Sequence, residues 1–245
     1  MEWIDEGPVR DEAERAVGRA SAEPRRTKRS SRAETPIEVD PETRAEVEQA
    51  LEPRRAARLA ERLAQAQGAL ERERYSEARR IANSLVKELG HVSAVHEVIG
   101  LSDYRLGRWQ QAAAALEIAR RMKGRVEDLP VLADCYRALR RWNEVDEIWL
   151  EIREASPAPE VMAEGRIVYV GSLAERGDLR GAIGEMEKAV SSSPKKLRPH
   201  HLDQWYVLAD LYDRAGSVQR ARDLFKRIVA VDADFADVRD RLRGL

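Results

Sequence analysis

Four histidines, one cysteine and 44 carboxylates are the side chains of this 245-residue chain with the most chemistry to offer. Their spacing argues against most of that chemistry. His91 and His96 are five residues apart, so they do not share a helical face as residues four apart would. The adjacent pair His200-His201 is expected in a loop ahead of a helix. Neither pair has the geometry of a metal site. Cys135 sits beside Tyr136 on an expected core-facing helix and reads as a small buried hydrophobe. A single cysteine excludes an intrachain disulfide and a cysteine-type structural zinc site. There is no glycine-rich phosphate loop, Gly-x-Ser-x-Gly, His-Glu-x-x-His or calcium loop. The expectation is a chain that is not an enzyme and takes no cofactor or metal. What remains is charge, and charge on helices serves recognition.

The bulk of the sequence agrees. Alanine, leucine, glutamate and arginine dominate and aromatic residues are only 5% of the chain, which favours helices over strands. Charged residues make up 36%, but 43 basic against 44 acidic side chains leave a net charge of -1. That balance argues against nucleic-acid binding through overall charge. Met1-Glu2-Trp3-Ile4-Asp5-Glu6 lacks the basic and apolar regions of a signal peptide. No apolar run approaches the ~20 residues that span a bilayer. A cytoplasmic protein with no membrane contact is the expectation.

Residues 1–39 hold few large apolar side chains: Trp3, Ile4, Val9, Val17, Ile37 and Val39. Such a stretch cannot offset the entropy of ordering, so it is expected to be a disordered charged tail, with Arg10 to Ala20 at most a transient helix. Within it, Pro24 to Arg32 carries five basic residues and no acid. Order is expected to begin at Asp40-Pro41-Glu42, an aspartate N-cap followed by proline and acid in a first turn. That helix should reach Leu51 or Glu52, where Pro53 either starts the next helix or kinks this one.

From there to the C-terminus one pattern recurs. Its clearest copy is Trp205, Leu208, Ala209, Tyr212, Gly216, Ala221 and Phe225. Others hold Tyr169, Leu173, Gly177, Ala182 and Met186; Leu132, Ala133, Tyr136, Val145 and Trp149; Gly100, Gly107, Trp109, Ala112 and Leu116; and, most degenerate, Ala66, Ala69, Tyr75, Ala78 and Leu85. The five copies start at Leu59, Ser93, Val126, Ala163 and Leu202, spaced 34, 33, 37 and 39 residues apart. The small residues let two helices of a hairpin approach, the large ones fill the space to the next hairpin, and the glycines serve the turn. The segment from about Asp234 to Leu242 is a charged amphipathic stretch expected to cap the last copy.

This pattern resembles the tetratricopeptide repeat, a helix-turn-helix unit of about 34 residues. Gly107-Arg108-Trp109, Ala119-Arg120-Arg121-Met122 and Leu129-Pro130-Val131-Leu132-Ala133-Asp134-Cys135 further resemble small repeat proteins of this type from high-GC Gram-positive bacteria. The resemblance covers residues 40–245. It implies an all-α solenoid, a right-handed superhelix of about five helical hairpins with an added helix at each end. It also implies that positions 2, 5, 9, 12 and 13 of each copy line a concave groove. Here these include Glu71, Glu97, Glu127, Asp134, Glu164, Glu175, Asp203, Asp210 and Asp213, with Arg105, Arg137 and Arg214 as the basic members and Tyr104, Ile167 and Tyr206 as apolar surface. The lysine-asparagine-arginine clamp by which some members hold a C-terminal carboxylate is missing: the fifth positions are Leu63, Glu97, Pro130, Ile167 and Tyr206.

The function this implies is a protein-interaction scaffold whose acidic groove takes a basic or amphipathic peptide. Glu97, Tyr104, Arg105, Asp134, Arg137, Tyr206, Asp210 and Asp213 are its candidate contact residues. Residues 25–32 offer a possible internal ligand. The competing expectation is an RNA- or ribosome-associated adaptor, using the arginine-rich tail and the basic second-helix faces Arg79-Arg80, Arg120-Arg121-Lys123 and Lys226-Arg227.

Overall fold

A computed structural model describes residues 38–123, 125–191 and 196–245. Residues 1–37 of the tail, with the stretch Arg10 to Ala20 and the basic segment Pro24 to Arg32, lie outside the described residues; order begins ahead of Asp40, since Val39 is already buried. Among the described residues there are twelve α-helices, one 3-10 turn and no strand. They group into two compact units, the chain passing from one to the other between Arg140 and Arg141.

The first unit holds α1 (Pro41–Ala50), α2 (Pro53–Glu71), α3 (Tyr75–Leu89), α4 (Ser93–Arg105), α5 (Trp109–Lys123), a 3-10 turn (Val126–Asp128) and α6 (Leu129–Ala138). Asp40 caps α1, its side chain accepting from the backbone N–H groups of Glu42 at 3.1 Å and Thr43 at 2.9 Å. Pro53 starts α2 and does not kink α1. Each helix packs on the next, and first helices also meet their counterparts: α2 touches α4, and α4 touches α6. Val39 and Val47 join the apolar core shared by α2, α3 and α4. At Gly100 α4 lies close against α5; a Cβ there would lie 2.6 Å from Cγ of Leu116.

The second unit holds α7 (Trp142–Ala155), α8 (Pro159–Glu175), α9 (Leu179–Val190), α10 (Pro199–Arg214), α11 (Val218–Val231) and α12 (Val238–Gly244). The same arrangement recurs, with α8 touching α10. Helices α2, α8 and α10 begin three to six residues ahead of the expected repeat starts, because Pro53, Pro159 and Pro199 occupy their first positions. His200 and His201 therefore lie in the first turn of α10, not in a loop. The last helix starts at Val238, four residues beyond Asp234, since Ala236 takes a left-handed conformation at φ 46°.

The turn chemistry repeats with the sequence. Glu73, Gly107, Arg140, Gly177 and Gly216 all have positive φ, between 56° and 89°. They are separated by 34, 33, 37 and 39 residues, the intervals of the expected repeat starts. After four of them a backbone bond closes the helix end: Arg74 donates to the Ala69 carbonyl, Arg108 to Asp103, Asp178 to Leu173 and Ser217 to Tyr212, at 2.8–2.9 Å. Five residues downstream of each turn, Ala78, Ala112, Val145, Ala182 and Ala221 are fully buried.

Two of the five turns carry a side chain where glycine would be unstrained. A left-handed non-glycine residue costs roughly 1–2 kcal/mol, against roughly 0.5–1 kcal/mol for the extra unfolded-state freedom of glycine. Glu73→Gly is expected to raise stability by about 0.5–1 kcal/mol, read as a higher urea midpoint at unchanged slope. A lower midpoint would show that Glu73 contributes more than strain.

Candidate functional site

The first-helix faces are lined with charged groups, and the structure gathers the candidate residues into three clusters with Arg105 apart. In the first unit, Asp134 and Arg137 of α6 are both about 1% exposed and bonded at 2.8 Å. Tyr104 of α4 is buried too, and its hydroxyl donates to the other Asp134 oxygen at 2.6 Å. One carboxylate thus receives a guanidinium and a phenol, which offsets the cost of taking it out of water. Arg105 is exposed, its guanidinium 5.8 Å from the Tyr75 ring centre.

The second cluster forms around Arg125. Glu97 of α4 is buried and accepts from Arg125 at 3.3 Å, with Asp128 beside them. Together with Leu116, Leu129 and Leu132 they line a small cleft. Burial, and then the neighbouring Glu97 charge, push the Asp128 carboxyl up from 3.8 to about 7, against the opposing pull of Arg125.

That shift has a sign for stability. The folded state binds the Asp128 proton more tightly than the unfolded state does. Ionisation therefore opposes folding as pH rises from about 4 to about 7, and the penalty stays constant above. Asp128 supplies no side-chain cap to α6, so its carboxylate is dispensable there. Asp128→Asn is expected to stabilise the protein by about 1–3 kcal/mol at pH 8 and to leave it unchanged at pH 4. Equal melting of both proteins at pH 8 would contradict this.

The third cluster lies in the second unit. Tyr206 and Asp210 of α10 are fully buried, and Asp213 is half-buried. Arg241 of α12 donates to Asp210 at 2.8 Å and to Asp213 at 2.9 Å, and its guanidinium lies 5.4 Å from the Phe225 ring centre. The Tyr206 hydroxyl donates to Asp237. Its pKa is raised first by burial and then by that bond. The Asp210 carboxyl is also raised by burial, with Arg241 pulling it back.

Successive hairpins are fastened by similar bonds. The Tyr136 hydroxyl donates to Glu117 at 3.3 Å and the Tyr212 hydroxyl to Glu187 at 2.6 Å. Buried Asp103 holds Arg79 at 2.6 Å, and Asp146 holds Arg176 at 2.8 Å and 2.9 Å. Several basic residues expected on outer faces are thereby engaged: Arg79 with Asp103, and both Arg120 and Arg121 with Glu117. Arg227 stacks over Trp205 at 3.8 Å from the ring centre.

Sequence reading by periodicity passes over Arg125, Asp128, Asp237 and Arg241. A signal for some of these partners exists, because Tyr104–Asp134, Asp146–Arg176, Tyr206–Asp237 and Asp210–Arg241 are all 30 or 31 residues apart. Scanning for complementary groups just short of one repeat would find them. Cys135 is fully buried, and burial pushes its thiol well above the usual range. Among the described residues no group of three or more His, Cys, Asp or Glu side chains could hold a metal ion, and no helix is long and apolar enough to cross a membrane. No protein-family model matches the chain, and no curated protein matches it.

Proposed function

We propose that this chain is a scaffold of the tetratricopeptide type that binds a basic peptide or protein segment on its first-helix faces. One observation carries the reading. Three acids of the first helices that are each about 1% exposed, Asp103, Asp134 and Asp210, hold an arginine apiece, and so does the buried Glu97. Carboxylates so placed in a desolvated setting suit guanidinium groups, and the same chemistry recognises a basic partner. The common register of turns and small buried residues supports the repeat assignment. Residues 25–32 have the composition of such a ligand and are a candidate internal competitor.

The experiment is zero-length carboxyl-to-amine crosslinking in the native host, followed by pulldown with and without nuclease. The expected result is a protein partner retained after digestion, its lysines joined to first-helix acids such as Glu97 and Asp213. Recovery that vanishes on digestion would replace this reading with that of an RNA-associated adaptor.

A further inference from the structure

We propose that Tyr206, Asp210, Asp213 and Phe225 form an arginine-accepting site and that residues 234–245 are its displaceable internal occupant. A partner peptide carrying the spacing Asp-Val-x-x-Arg, as in Asp237 to Arg241, docks by taking that segment's place. This rests on the peptide-binding reading and names its ligand chemistry.

The seated segment displays what the site recognises. Arg241 meets two carboxylates and lies beside an aromatic ring, Asp237 accepts from the Tyr206 hydroxyl, and Val238 is 1% exposed. The Phe235 ring centre lies 5.9 Å from that of Tyr206. Charge, hydrogen bonding and apolar burial are thus combined within five residues.

The fit is incomplete. Both Arg241 bonds come from one nitrogen, Nη2, and the second Asp210 oxygen, Oδ2, is buried with no hydrogen-bond partner. A guanidinium presented edge-on would satisfy both oxygens of Asp210 with two parallel bonds. The resident arginine leaves that gain unused, so an incoming one has a route to bind better.

The occupant is also weakly held. A seven-residue helix is too short to persist without packing, and Val238 is the only buried residue of α12. The side chains of Asp234, Arg239, Asp240 and Arg243 are 58–87% exposed. Ala236 carries left-handed strain in the connection to α11. Arg222 donates to the terminal carbonyl of Leu245. Few buried contacts and a strained link are the marks of a segment that opens independently of the core.

The test is fluorescence anisotropy with a labelled synthetic peptide of residues 234–245 against the full chain. Val238→Ser removes the segment's apolar anchor and leaves every carboxylate in place. It is expected to bind the peptide about tenfold tighter than wild type, since the internal competitor no longer reduces the open fraction. Adding Asp210→Asn, or replacing the peptide's second arginine by alanine, is expected to abolish that binding. A Val238→Ser chain that keeps its helicity and binds no tighter than wild type overturns the proposal. Should that variant unfold, hydrogen exchange of the wild type decides. Amides of 238–244 exchanging about a hundredfold faster than those of α10 and α11 support the proposal, and equal protection overturns it. A crosslinked partner at Glu97 with no peptide binding here sinks this inference alone and leaves the proposed function intact.

Discussion

Asp134→Asn is expected to cost about 3–5 kcal/mol of folding stability, the typical result of removing one partner from a buried ion pair. Asp134 and Arg137 are each about 1% exposed, so solvent cannot take over for the lost charge. The Tyr104 hydroxyl can still donate to the asparagine oxygen, which isolates the ionic part of the loss. Replacing both residues, Asp134→Asn with Arg137→Met, is expected to recover most of it, because the buried guanidinium leaves with its partner. Urea unfolding of the two single variants and the double variant measures the coupling. A single-variant loss under about 1 kcal/mol would mean that the pair contributes little to the packing of α6.

Ala182→Leu and Gly184→Ala, two residues apart on α9, are expected to act in opposite directions. Ala182 is fully buried at the position shared with Ala78, Ala112, Val145 and Ala221. Three added carbons there must displace neighbours, at roughly 1–3 kcal/mol. Ala221→Leu is expected to do the same. A Cβ at Gly184 meets nothing within 4 Å. Alanine there should gain up to about 1 kcal/mol from helix propensity alone. Thermal melts of the three variants check the repeat register directly, and unaltered melting of Ala182→Leu and Ala221→Leu would defeat it.

The hairpin turns show how much of the fold the residue types disclose. Gly107, Gly177 and Gly216 mark three turns because glycine is the residue that takes positive φ without strain. Glu73 and Arg140 adopt the same conformation, and nothing in their chemistry announces it. Their turns emerge only by counting from the other three. Proline at the first helical position moved helix starts ahead of the repeat frame, since the frame marks packing positions and the proline marks where helical backbone begins.

The candidate site divides in the same way. The resemblance to the repeat family assigned Asp134, Tyr206 and Asp210 to the first-helix faces, and helical periodicity orients a residue only on its own helix. It carries no information on what arrives from another helix. Burial of these residues is completed by Tyr104 from 30 residues before Asp134, and by Arg241 from 31 residues after Asp210. Asp128 was hidden for a different reason. Its raised carboxyl depends on Glu97, 31 positions earlier in the chain, and on a cleft that exists only after α4 and α6 have met.

The one thiol of the chain makes the molecule its own stopwatch. Cys135 is wholly enclosed in α6, and only an exposed thiolate reacts with an alkylating reagent. The labelling rate of native protein therefore counts the moments at which α6 comes away from its neighbours. With reagent in excess the rate saturates at the opening rate itself, and below saturation it reports the open population. Because Asp134 and Tyr136 flank that thiol, strengthening or weakening the charge cluster is read out in the alkylation rate, with no engineered probe and no denaturant.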